Sequence, residues 1–100
     1  MARNPGGNSM LIFGTNDYNA FRVDENRHVR PESDNARDLG TSSYRWRNLY
    51  TTDLQLSNKG SQNDVDGTWG NYTIQEGEND LFLINNRNGK KYKFNLTEVS

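Results

Sequence analysis

Apolar residues along this chain come in short clusters, several of them alternating with polar residues, and no stretch repeats at a helical period. Met10-Leu11-Ile12-Phe13 opens the patterned region and stops at Gly14. Ala20-Phe21-Arg22-Val23-Asp24 then alternates, with Phe21 and Val23 on one side, the signature of a half-buried strand. His28-Val29-Arg30 reads as a further short strand closed by Pro31, which has no N–H to give a ladder. Tyr44, Trp46, Leu49 and Tyr50 hold most of the aromatic mass of the first half, and a strand is predicted at Leu49-Tyr50-Thr51. Leu54 and Leu56 share the buried side of Asp53-Leu54-Gln55-Leu56-Ser57. Trp69, Tyr72 and Ile74 supply another strand before the runs around Leu83 and Phe94.

Turns divide these runs. Thr15–Asn19 is a turn cluster, Glu25-Asn26-Arg27 a tight turn, and Asn58–Asp64 a loop that separates two modules. Asn88-Gly89 lies between two strand-like runs and is the preferred centre of a type I′ hairpin, in which both residues need positive φ. With those two residues as the loop, Leu81 faces Leu96, Leu83 faces Phe94 and Asn85 faces Tyr92 on one side of the ribbon. Phe82, Ile84 and Asn86 then face Asn95, Lys93 and Lys91 on the other. The 15 asparagines favour turns, because Asn tolerates the left-handed region and bonds to its own backbone. The fold class expected is all-β. The organisation expected is a flexible lead over residues 1–10, a β module over 11–58 and a hairpin and meander module over 59–100.

Composition sharpens this picture. Leu, Ile, Val and Phe together number 19 in 100 residues, a level found in disordered chains when net charge is large. Here the formal charge is only −1, and 11 aromatic residues argue for order. Such a chain has too little apolar mass for a comfortable monomeric core. The near-neutral charge leaves no electrostatic footprint for nucleic acid. No run approaches the roughly 20 apolar residues of a membrane span, so no membrane insertion is expected. With no cysteine there is no disulfide framework, thiolate metal site or cysteine nucleophile.

One stretch carries a specific resemblance. Asp38-Leu39-Gly40-Thr41-Ser42-Ser43-Tyr44-Arg45-Trp46-Arg47-Asn48-Leu49-Tyr50, with its Asp34-Asn35 lead, resembles the D-L-G-x-S-S-x-R-W-x-N-L-Y motif of tail fibres of tailed bacteriophages. Leu11 to Pro31 looks like the β unit that precedes that motif. Residues 67–99 are similar to carboxy-terminal segments of cyanophage structural proteins. The resemblance implies an intertwined homotrimeric β-fibre in the virion tail, extracellular after release, that serves host attachment. Leu39, Tyr44, Trp46, Leu49 and Tyr50 would then sit at the trimer interface, joined by Leu54, Leu56, Leu83 and Phe94. The implied partners are two further copies, other virion tail proteins and a host surface glycan or protein. Phage fibres are usually far longer, and many end in a self-cleaving chaperone domain, so the chain is expected to be a fragment of a fibre or a small standalone virion protein.

Candidate chemistry is sparse. His28, the only histidine, lies between charged neighbours in a short strand and reads as structural. No phosphate loop, nucleophile elbow or H-E-x-x-H is present, and no enzyme activity or cofactor is expected. Asp64, Asp66 and Glu78 fall in loops near Trp69 and Tyr72, whose rings suit a sugar, so these five are the candidate ligand-facing residues. Gln62 to Gly67 has a partial calcium-loop look, but its first position is Gln62 and its twelfth is Thr73, so no metal is expected. Arg45 and Arg47 alternate with Tyr44 and Trp46, a pattern that suits arginine stacked on aromatic rings at an interface. The alternatives to a fibre are a monomeric carbohydrate-binding β module and a capsid-decorating or assembly protein.

Overall fold

The computed structural model describes residues 10–100. Among them there is no helix, and seven strands form two antiparallel sheets. The expected lead falls, apart from Met10, outside the described residues. The chain divides into two units, Met1–Arg47 and Asn48–Ser100.

The first unit holds β1 (Leu11–Thr15), β2 (Tyr18–Val23) and β3 (Val29–Pro31) in that spatial order. Asn16 and Asp17 both take positive φ, 52° and 67°, between the paired residues Thr15 and Tyr18. This is the conformation a two-residue type I′ hairpin demands, and Asn and Asp adopt it at modest strain. The register of β1 on β2 shifts between Phe13 and Gly14, which marks a bulge. There the chains pass so closely that a Cβ on Gly14 would strike the carbonyl oxygen of Tyr18 and lie 2.9 Å from Asn19 Cα. The β2–β3 turn closes with Arg27 N donating to Asp24 O at 2.9 Å and Arg27 at φ 67°. That is a type I turn followed by one left-handed residue, the usual three-residue hairpin loop. Pro31 pairs with Phe21 on the outermost strand, an edge position where the missing N–H costs no ladder bond.

Strict alternation sorts the side chains of this sheet. Leu11, Phe13, Phe21, Val23, Val29 and Pro31 pair across the strands and share one face. Arg22 and Arg30 lie on the other and bind carboxylates there, Arg22 to both oxygens of Glu32 through Nε and Nη2 and Arg30 Nε to Asp24 Oδ2 at 3.0 Å.

The second unit is a four-stranded meander of β4 (Leu54–Ser57), β5 (Asn71–Glu76), β6 (Leu81–Asn85) and β7 (Lys91–Lys93). Three expectations require correction. First, β4 pairs with β5 along its whole length, so Leu54 and Leu56 belong to this sheet, and the division falls ahead of Asn48 rather than in the Asn58–Asp64 loop. Second, Leu49-Tyr50-Thr51 is not a strand; no described strand offers it a ladder, and an isolated strand has nowhere to place its backbone bonds. Third, the last hairpin is shifted by two residues. Phe82 pairs with Lys93, Leu83 with Tyr92 and Ile84 with Lys91.

The cause of that shift lies in the turn. Gly89 takes φ 77°, but Asn88 does not take positive φ, so the type I′ condition fails. Instead Asn85 Oδ1 accepts the N–H groups of Arg87 and Asn88, at 3.0 and 3.4 Å, and Gly89 N donates to Asn85 O at 2.8 Å. Asn85 thereby stabilises a four-residue loop, Asn86 to Gly89. A slip of two preserves which side each residue faces, so the predicted division of faces stands while the partners change.

Candidate functional site

The register brings Leu54, Ile74, Leu83 and Tyr92 into one row across all four strands of the second sheet. Leu56 and Tyr72 lie in the next row beside Asn85, and Leu81 lies beyond on the same face. Phe94 N donates to Leu81 O at 3.0 Å, so its ring continues this face. The opposite face is mixed, with Phe82 and Ile84 beside its polar side chains. Thr73 is buried at its centre, with Gln55 Oε1 accepting from its hydroxyl at 2.7 Å and Asn86 Nδ2 donating to it at 2.9 Å. Asn86 also donates to Asn71 at 3.0 Å, and Gln75 donates to Asp53 at 3.2 Å. The amides on this side bond to Thr73, Asp53 and one another. The apolar side has no covering layer of strand or helix within its own unit.

No hydrophobic side chain is buried among the described residues. A sheet with one apolar face normally hides it against a second layer. Here Leu54 and Leu56 are 39% and 45% exposed, while Leu83 and Phe94 are half-buried. Leu39, Tyr44, Trp46, Leu49 and Tyr50 lie outside any strand and are between 66% and 89% exposed. Their segment is shaped locally by Thr41, whose N–H donates to Tyr44 O at 3.0 Å and whose hydroxyl accepts Tyr44 N–H at 2.9 Å. Arg45 and Arg47 do not stack on aromatic rings among the described residues, contrary to the arrangement their spacing suggested.

The candidate ligand-facing residues separate into different places. Asp66 is turned into its own loop, where its Oδ1 accepts from Asn63 Nδ2 at 2.8 Å and from the Thr68 hydroxyl and N–H at 2.8 and 3.1 Å. Those bonds, Asn63 first, hold its carboxyl below the ordinary range. Asn63 Oδ1 in turn accepts the N–H groups of Val65 and Asp66. The oxygen atoms that gave this stretch its calcium-loop look are folding the loop. Asp64 is exposed on the same loop. Glu78 lies in the β5–β6 turn, with β5 between it and Asp66. Five or six residues of strand span roughly 17–20 Å, well beyond the ~5–9.5 Å at which two carboxylates cooperate on a glycosidic bond.

Trp69 and Tyr72 are likewise engaged separately. Tyr72 belongs to the apolar face, its ring passing over Gly70 and its hydroxyl accepting from Asn85 Nδ2 at 3.4 Å. Trp69 is half-buried, with the Arg87 guanidinium carbon 3.8 Å from its ring centroid and Lys59 Nζ at 5.8 Å. Sequence reasoning missed both cations. Lys59 falls inside the Asn58–Asp64 loop and Arg87 beside the Asn88-Gly89 turn, and no local pattern distinguishes either. In comparisons with known proteins, no family model, curated protein or solved structure matches the chain.

Proposed function

We propose that this chain is a structural, non-enzymatic subunit of a virion tail fibre, assembled as a homotrimer and serving host attachment. The observation that carries the reading is the absence of any buried hydrophobic side chain among the described residues, set against an apolar face on each sheet. Pooling those faces around a shared axis would remove them from water at about 25 cal/mol per Å² of apolar area. The exposed stretch from Leu39 to Tyr50, which carries the fibre-like motif, supplies five further apolar side chains to such a core. The polar networks of Arg22–Glu32 and of Thr73, Gln55 and Asn86 suit outward faces. Three copies of a weak site on one rod would raise avidity without a new contact.

Light scattering on the full chain in dilute solution tests the assembly. The fibre reading expects three times the 11.5 kDa chain mass. A stable, cooperatively folded species at the mass of one chain removes it.

A further inference from the structure

We propose that Arg87, Lys59 and Trp69 form a binding site for an acidic saccharide, a sugar ring bearing a carboxylate. This goes beyond the fibre reading, because every residue of the site lies within the second unit of one chain. Trp69 lies two residues before β5, and Arg87 belongs to the four-residue loop between β6 and β7. The guanidinium sits in contact with the indole face at 3.8 Å, and its Nη1 donates to the Trp69 carbonyl at 3.0 Å. One donor is thus spent on anchoring, while Nε and Nη2 make no hydrogen bond among the described residues. A guanidinium so held offers a fixed donor edge that matches the two oxygens of a carboxylate.

The charge at this place is also free. The ion pairs among the described residues are Arg22–Glu32 and Arg30–Asp24, both in the first unit. Lys59 and Arg87 therefore approach the same indole with no carboxylate neutralising either. Asp66, the acid of the same loop held by hydrogen bonds, is directed to Asn63 and Thr68. Neutral hydrogen-bonding groups flank the cations. Asn58 accepts from Gly70 N at 2.8 Å through Oδ1, leaving its amide N–H groups available, and Asn88 accepts from Lys90 N at 2.9 Å in the same way. Two cations, a half-exposed indole and amide donors together suit hydroxyls around one planar anionic group, and do not suit a neutral glucan.

The test follows the two indole N–H signals of the full chain by NMR, assigned with Trp69→Phe, during titration with oligogalacturonate, a neutral glucan of equal length and glucose 1-phosphate. Oligogalacturonate is expected to shift the Trp69 signal saturably. Arg87→Gln should weaken this about tenfold, as loss of a charge-assisted pair does, and Lys59→Gln severalfold. Arg87→Lys keeps the charge, loses the planar fork, and is expected to weaken binding as well. The unchanged remainder of the spectrum reports that each variant is folded. Equal response to the neutral glucan, response only to the phosphate, full affinity in Arg87→Gln, or no response at all would each overturn the site. A monomer that binds oligogalacturonate would refute the trimer and leave the site standing; a trimer that does not bind would do the reverse.

Discussion

Across the β1–β2 pair, the rings of Phe13 and Phe21 lie parallel, with centroids 4.6 Å apart and planes within 4°. Parallel rings touch at about 3.5 Å, so this separation implies a lateral offset of roughly 3 Å, the favoured geometry for stacked aromatics. The two residues are direct partners in the register. A double-mutant cycle with Phe13→Ala and Phe21→Ala is expected to return a coupling of about 0.5–1.5 kcal/mol beyond the sum of the single effects. Thermal unfolding followed by circular dichroism measures it. Strictly additive losses would mean that the stack contributes nothing of its own.

Asp24 fixes the next turn and sets a pH dependence. Its Oδ1 accepts the N–H groups of His28 and Asn26, at 3.0 and 2.9 Å, and its Oδ2 accepts Arg30 Nε. The His28 N–H is the leading cause of a carboxyl held below its ordinary range, with Arg30 and Asn26 adding and burial opposing. A depressed carboxyl stabilises the fold above its unfolded value of about 3.9, and the contribution disappears as pH falls through the folded value. Glu32, lowered chiefly by its bonds from Arg22, acts in the same direction. Stability should therefore hold from pH 7 to about 5 and fall below about 4. Asp24→Asn keeps the one oxygen that accepts both backbone N–H groups but loses the ion pair, so its acid limb should be shallower. An Asp24 carboxyl titrating at or above the ordinary range, by NMR, would refute the assignment.

Two glycines should respond very differently to alanine. At Gly14 the bulge brings backbone against backbone, and a Cβ meets the Tyr18 carbonyl and Asn19 Cα, neither of which can swing aside. Gly14→Ala is expected to shift the β1–β2 register or unfold the first sheet. At Gly89 nothing lies within 4 Å, and only φ 77° opposes a side chain. The cost there should be about 1–2 kcal/mol, that of one left-handed residue. Hydrogen exchange on β1 and β7 separates the two outcomes. A mild Gly14→Ala would mean that the bulge relaxes.

These contrasts also indicate what the sequence could convey. Alternation marks the strands around Phe21 and Leu54, because side-chain period is a local property. The faces survived even where partners moved, since Leu83 meets Tyr92 rather than Phe94 and both lie on one side. Turn identity was less legible. Asn16-Asp17 takes the type I′ form expected of Asn88-Gly89, whereas the Asn85 side chain captures the second turn from outside the two-residue window. The pairing of β4 with β5 spans a loop that reads as a boundary, and composition alone cannot reveal a ladder across it. The Arg87–Trp69 contact joins residues 18 apart, a separation no local pattern conveys.

If neighbouring copies cover the face of Leu54, Ile74 and Leu83, a charge placed on that face should dissociate the assembly while a polar change on the opposite face should not. Leu56 lies in the row of Tyr72 and Asn85 on the apolar face, and its position on β4 is already 45% exposed. Leu56→Lys therefore leaves the isolated chain nearly unstrained, and buries an unpaired charge only if a partner covers it. Lys91 pairs with Ile84 on the opposite face and is exposed, so Lys91→Gln serves as the control. Trp46→Ala probes the other proposed part of the interface, where buried tryptophans commonly contribute 2 kcal/mol or more per copy. The expected results are loss of trimer mass in Leu56→Lys, a lowered melting temperature in Trp46→Ala and no change in Lys91→Gln, read by light scattering and calorimetry at one concentration. Retention of both mass and melting temperature in Leu56→Lys would mean that no copy covers this face, since no partner could bury an ammonium among Leu54, Ile74 and Leu83 without cost.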